Sequence, residues 1–311
     1  MEDRVKITNT ELEIFPVVLG TVGMGDRIDQ RDAFEIIDNY GYFGGNAIDT
    51  ARVYAGGRSE EILGNYFKAR GTRSNYVIIS KGGHPRLESM HTGRMAEGDM
   101  RSDLEESLRA LKTDYIDLYF YHRDNLHQPV SESIEIMERF VKEGKIRYYA
   151  CSNWNPARIR QAEKYCLENG KNGFKANQAL YNCGSDNMYP LADDTMYTMD
   201  TDMKKLHRET DILSMPYSGV CNGFFHRLFY YGEASVKDSP YYTEANLQAA
   251  KEIYNLAGNY KVSISKVLLG FFFYRDFKNC PIYGPSKSSQ IQDLKDITRL
   301  PFKKDDFSFL Q

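Results

Sequence analysis

The chain alternates between two kinds of pattern. Short apolar or β-branched runs occur at 16–19, 46–48, 77–79, 116–121, 146–151, 174–177, 212–215 and 281–283. Between them, apolar residues return every three or four positions, the spacing that lines one face of a helix. Ser102 and Glu105 read as a capping box, each side chain satisfying the other's free backbone N–H, with Leu104, Leu108 and Leu111 as one apolar stripe beyond it. Ser131 opens another helix, with Ile134, Met137 and Val141 on its buried face and Gly144 just past its end. Asn155 and Pro156 supply a cap and a first-turn proline ahead of Ile159, Ala162 and Cys166.

Strands that alternate with helices pair in parallel through helical crossovers. Eight such units predict an α/β fold, a closed (β/α)8 TIM barrel, which needs ~250 residues. The chain has 311. The surplus predicts an N-terminal addition before Pro16 and long loops at 182–202 and 219–243, after strands six and seven. Residues 1–311 are expected to form one barrel domain. An open doubly wound sheet is the alternative, and it wants a dinucleotide fingerprint after the first strand. Gly20, Gly23 and Gly25 stand there, but in the order GxxGxG and with the polar stretch 26–30 following. A Rossmann turn needs GxGxxG and a helix that starts inside the motif. The segment reads as a βα loop on the rim of a pocket.

Composition narrows the classes further. Lys and Arg number 40 against 43 Asp and Glu, a net charge of −3, which argues against a nucleic-acid binder with its clustered basic excess. No apolar run approaches the ~20 residues of a membrane helix. The first fifteen residues lack the apolar core of a secretion signal. Five scattered cysteines without a CxxC fit a reducing compartment, so the expected location is the cytoplasm and the expected partner a small molecule. The six histidines form no HExxH, and no metal site is expected.

In a parallel barrel the site lies at the C-terminal ends of the strands. Those ends carry Asp49 with Tyr54 five residues on, Ser80-Lys81, His122-Arg123-Asp124, Ser152-Asn153-Trp154, Gln178, Tyr217-Ser218 and 284–287. Each of these residues alone has a structural explanation: a turn, a cap or a solvated charge. A carboxylate, a phenol, an ammonium and an imidazole on adjacent strands make a coherent acid–base set. A phenol with an ordinary pKa of ~10 needs a neighbouring cation to exchange protons near neutrality. Lys81 is placed to be that cation, with Asp49 balancing it and His122 holding a substrate oxygen. The set has no acyl-transfer nucleophile and no pair of catalytic carboxylates. It suits carbonyl/alcohol redox chemistry with hydride from a cofactor.

The motifs resemble those of a known family. Residues 45–54 (GNAIDTARVY) with 59–64 (SEEILG) are similar to the first signature of the aldo-keto reductases. Residues 78–81 resemble that family's lysine strand and 114–122 its histidine strand. Residues 144–147, 151–153, 177–178, 216–218 and 281–284 continue the resemblance in order, from about Leu19 to about Lys295. The His122-Arg123-Asp124 form is similar to a bacterial branch related to aryl-alcohol dehydrogenases.

The resemblance implies a (β/α)8 barrel that binds NADP(H), less often NAD(H). It implies Tyr54 as general acid/base supported by Asp49, Lys81 and His122. Ser152, Asn153 and Gln178 would hold the nicotinamide carboxamide, and Tyr217 would stack on its ring. Ser218, Val220 and Gly223 would follow the pyrophosphate, with Ser286, Lys287 and Gln290 near the adenosine phosphate. Much of the branch has arginine where this chain has Ser286, which leaves Lys287 as the expected 2′-phosphate partner. The substrate pocket is expected to be lined by Val22, Met24, His84, Arg123 and Trp154 beside Tyr54, with a sugar-like or an aryl carbonyl as substrate. The alternatives are a metal-dependent sugar isomerase barrel and a cofactor-binding regulatory barrel without significant turnover.

Overall fold

The computed structural model describes residues 4–310. A hairpin comes first, from β1 (Val5–Lys6) and β2 (Glu13–Ile14). The barrel strands follow: β3 (Val18–Gly20), β4 (Ala47–Asp49), β5 (Val77–Gly82), β6 (Ile116–Tyr121), β7 (Ile146–Ser152), β8 (Ala176–Gln178), β9 (Leu213–Ser214) and β10 (Ile282–Tyr283). Each overlaps one of the apolar runs. Their order is β10-β3-β4-β5-β6-β7-β8-β9, every pair parallel. The sheet closes into a barrel where Ser214 bridges Asn279 in parallel and the N–H groups of Cys280 and Ile282 donate to Ser214 and Pro216 oxygens, both at 2.8 Å.

The helices α1 (Gln30–Tyr42), α2 (Arg58–Arg70), α3 (Glu97–Leu111), α4 (Val130–Lys142), α5 (Pro156–Asn169), α6 (Thr201–Glu209), α7 (Phe224–Tyr231), α8 (Glu244–Tyr260) and α9 (Ile264–Phe273) surround it. Asn155 caps α5 as the sequence predicts, its side chain accepting the Arg158 N–H at 2.9 Å. Ser102 is not a cap. It lies inside α3, which begins at Glu97, because Met100 is already fully buried and draws the helix one turn further back. The helix at Ser131 starts one residue earlier, at Val130, behind Pro129.

Strand parity decides which residues meet at the barrel's mouth. Ala47, Val77, Ile79, Leu118, Phe120, Ala150 and Ala176 belong to one buried cluster inside the barrel. Ile48, Ile78 and Tyr119 pack outward against the helices. Side chains alternate faces along a strand, so the residues two positions beyond the inner set also point inward. Those residues are Asp49, Lys81, His122, Ser152 and Gln178. They form one polar layer above an apolar plug. The other end of the barrel is stopped by the hairpin, whose Ile7, Leu12 and Ile14 join the inner cluster.

Candidate active site

Lys81 stands at the centre of the polar layer. Its Nζ donates to Asp49 Oδ1 at 2.6 Å, to the Thr50 carbonyl at 2.8 Å and to the Tyr54 phenol oxygen at 3.2 Å. Three acceptors exhaust an ammonium's three donors. Gln178 Nε2 donates to the other Asp49 oxygen at 2.7 Å. The His122 ring meets Tyr54 edge-on with 5.8 Å between centroids, and the His84 ring at 4.8 Å.

Burial sets the protonation states. It works against the Lys81 ammonium, but Asp49 and Tyr54 more than offset it and hold the amine above its ordinary pKa. Burial raises the Tyr54 phenol while Lys81 pulls it back down. The result is a protonated donor beside a fixed cation. Burial drives His122 well below its ordinary value, helped by the charges of Lys81 and Arg123. Its Nδ1 is buried without a partner. A neutral ring in that setting keeps its proton on Nε2, since a sealed N–H without an acceptor costs about 1–3 kcal/mol.

Tyr54 lies in a loop, not on a strand, and sequence reasoning missed what holds that loop. Ala55, Gly56 and Gly57 follow at φ 50°, 65° and 94°, a left-handed run that turns the chain back on itself. Arg52 ties the loop down by bridging Glu60 at 3.3 Å and Glu106 at 2.8 Å. Glu60 is fully buried and also accepts from Ser80 Oγ at 2.6 Å, next to Lys81. The signal was available: an acid inside an otherwise apolar helix face, in the motif quoted above.

Around this centre runs a continuous groove of about 1260 Å3. Val22, His84, Arg123 and Met196 line one end, with Tyr54 and His122 at its floor. Ser152, Asn153, Gln178, Tyr217, Ser218, Val220 and Gly223 line the middle, and Ser286, Lys287 and Gln290 the far end. Asn153 has φ 62° and both its amide hydrogens engaged, by the His122 carbonyl and Ser152 Oγ. Its oxygen accepts from the Tyr217 hydroxyl at 2.7 Å and the Tyr197 N–H at 3.0 Å. Asn153 therefore fixes the Tyr217 ring over the barrel mouth. Gln290 Oε1 accepts from the Ser286 and Lys287 N–H groups, ordering the turn at the far end.

Two expected pocket residues are elsewhere. Trp154 is fully buried in the barrel wall against Tyr121 and Phe174, because the left-handed turn at Asn153 sends the chain out of the strand's alternation. Met24 is also fully buried: it pairs with Ile28 across a tight turn that tucks it under the rim. Gly20 and Val22 do line the groove, as expected for a rim loop.

The two long segments keep exposed stretches, at Tyr189 and at Tyr230 and Tyr231, and the second is not all loop because it contains α7, but they are tied to each other. Asn182 joins them from a fully buried position. Its amide donates to the Ser218 carbonyl at 3.0 Å and to Tyr241 at 2.8 Å, and its oxygen accepts the Gly184 N–H at 3.0 Å. No sequence pattern marked Asn182. Among the described residues, no three His, Cys, Asp or Glu side chains converge to hold a metal, and no helix is long and apolar enough to cross a membrane.

Residues 16–311 match the sequence model of the Aldo/keto reductase family. The chain is 26% identical over 229 residues to an NADP(+) aryl-alcohol dehydrogenase of Phanerodontia chrysosporium, covering 68% of this chain and 57% of that protein. It is 33% identical over 162 residues to an uncharacterised oxidoreductase of Bacillus subtilis, covering 51% of each. The chain spans about half the length of the curated relatives it matches. A thermostable aldo-keto reductase crystallised with the inhibitor epalrestat has the same fold, with a TM-score of 0.76 at 21% identity over 99% of this chain and 98% of that one.

Proposed function

The chain belongs to the aldo/keto reductase family, and from that premise we propose that it interconverts an aldehyde or ketone with its alcohol, using NADP(H) as hydride carrier and Tyr54 as proton donor and acceptor. The observation that carries the reading is Lys81 held between Asp49 and Tyr54 on the floor of a long groove.

The groove suits an extended dinucleotide. Tyr217 offers a ring face beside the acid–base centre, and Gln178 Oε1, with no donor among the described residues, can accept from a carboxamide. At the far end Arg227 and Lys287 line the groove with no carboxylate partner among the described residues, as an anionic ligand would require. NADP(H) is the favoured cofactor because a lysine pairs with a 2′-phosphate as a point charge. NAD(H) is the alternative. When bound, the nicotinamide would supply or take up the hydride.

The protein's own part is the proton. His122 Nε2–H would hold the carbonyl oxygen in the plane of the phenol. As negative charge builds on that oxygen, Tyr54 would pass it a proton. Lys81 stabilises the phenolate left behind, and Asp49 and Gln178 keep the ammonium in place. In the reverse direction the phenolate takes the alcohol's proton.

Tyr54→Phe tests this directly. It keeps the ring and removes the proton, so the fold and NADPH affinity should persist while kcat falls on the order of 10²–10⁴-fold. An unchanged kcat, with deuteride transfer shown to be rate-limiting, would remove Tyr54 from the mechanism. Binding of NADPH without turnover over a broad aldehyde panel would point instead to a regulatory barrel.

A further inference from the structure

The substrate end of the groove lacks the indole that the sequence predicts as a flat wall for an aryl ring. Trp154 and Met24 are sealed in the core. What lines the groove beside Tyr54 and His122 is aliphatic or polar: Val22, Val53 and Met196, with His84 and Arg123. The last two carry the argument.

His84 Nδ1 lies 2.6 Å from the Pro85 carbonyl oxygen. A carbonyl only accepts, so Nδ1 bears the proton and Nε2 is left as an acceptor. Among the described residues no donor reaches Nε2, and it is not sealed from solvent. Burial lowers the pKa of His84 below its ordinary value, with Arg123 adding to the effect, and this keeps the ring neutral. Arg123 is the complementary group. Its Nε donates to Thr195 at 2.9 Å, one Nη to the His122 carbonyl at 3.1 Å and the other to Asp193 at 3.1 Å. A guanidinium has five N–H donors, so each Nη retains one. Its side chain is only 9% exposed and is clamped by the 193–195 segment, so these donors are fixed in place.

A half-buried acceptor and a buried donor thus line the same groove, with the His84 ring 4.8 Å, centroid to centroid, from the imidazole that would hold the carbonyl. A carboxylate there would pair with Arg123 but meet the His84 lone pair, and an ammonium would donate to His84 but meet the Arg123 charge. A hydroxyl satisfies both, donating to His84 Nε2 and accepting from Arg123. We propose that the substrate is a hydroxylated, sugar-like aldehyde, recognised through a hydroxyl near its carbonyl by His84 and Arg123. The proposal rests on the reductase reading above and narrows its substrate class. A second cavity of about 240 Å3 shares His84 with the groove, and Val53, Pro85, Leu87, Arg86 and Arg94 also line it.

The test compares matched four-carbon aldehydes, D-erythrose and butanal, with benzaldehyde as the aryl case. In the wild-type enzyme with NADPH, kcat/KM for erythrose should exceed those for butanal and benzaldehyde by at least about 30-fold, since sites built for a hydroxyl reject analogues that lack it. In His84→Leu the erythrose-to-butanal ratio should fall towards 1. Equal or better use of butanal or benzaldehyde, or a ratio that His84→Leu leaves unchanged, overturns the proposal while the reductase reading stands. A parallel calorimetric titration of the NADP+-loaded protein with erythritol and with 1-butanol needs no turnover. Tighter binding of erythritol, lost in His84→Leu, supports the proposal even if no aldehyde is reduced, an outcome that would count against the reductase reading alone. Equal binding of the two overturns it.

Discussion

The two ends of the groove are built differently. At the acid–base end, Asp49, Lys81, Ser152 and Gln178 sit on barrel strands, His122 directly follows one, and all are buried. Every donor of Lys81 is matched to an acceptor. At the far end, Ser286, Lys287 and Gln290 lie on an exposed turn, and Lys287 and Arg227 have no carboxylate partner among the described residues. One end has its charges compensated internally before any ligand arrives. The other presents exposed positive charge that an anionic ligand can pair with. The difference fits the two tasks: proton transfer needs groups fixed to a fraction of an ångström, whereas holding a phosphate tolerates a flexible point charge.

The contrast breaks most sharply at Lys81. Lys81→Met should lower kcat by about 10²–10³-fold. It should also move the alkaline limb of the carbonyl-reduction profile to higher pH. The sign follows from the phenol. Burial already raises the Tyr54 pKa, and Lys81 is the main influence pulling it down, so removing the cation lets it rise further. Reduction uses the protonated phenol and stays flat through neutrality. Oxidation uses the phenolate and should require a more alkaline pH in the variant. A pH–rate profile in both directions checks this, and an unshifted limb would mean that the phenol is not the titrating group.

Asn182→Ala comes next, because it attacks the join between the loops that frame both ends. It strands the Tyr241 hydroxyl, the Gly184 N–H and the Ser218 carbonyl. Denaturant unfolding should show a loss of about 2–3 kcal/mol, the cost of burying such groups unpaired. Cofactor affinity should fall with it, because Ser218 is part of the groove. A variant as stable as wild type would mean that the loops are not knotted at Asn182.

The smallest effect belongs to the exposed end. Lys287→Ala should weaken NADPH binding by about 10-fold and leave NADH nearly unchanged. The loss should shrink as ionic strength rises, as a solvent-exposed charge pair requires. Fluorescence titration with both cofactors at two salt concentrations measures it. Equal losses for NADPH and NADH would reassign Lys287 to the part that the two cofactors share.

How much of this was legible beforehand depends on whether position in a strand sufficed. The eight strands and the inward set Asp49, Lys81, His122, Ser152 and Gln178 follow from period-2 alternation and the barrel's polarity, both readable in one dimension. The 97–111 helix was misjudged at its start because Ser102 and Glu105 satisfy the local capping pattern, and only burial of Met100 overrides it. Arg52, Glu60 and Asn182 were missed because their partners are distant in sequence.

What the sequence by itself determined is the barrel, its closed parallel order and the polar layer at its mouth, because strand alternation and residue chemistry are local. What only the tertiary structure decided is which neighbours of that layer reach the groove. One left-handed residue, Asn153, turns Trp154 out of the strand's alternation and into the wall, and a tight turn hides Met24. Such turns depend on contacts between segments far apart in the chain. The same contacts left His84 and Arg123 as the polar groups lining that end of the groove.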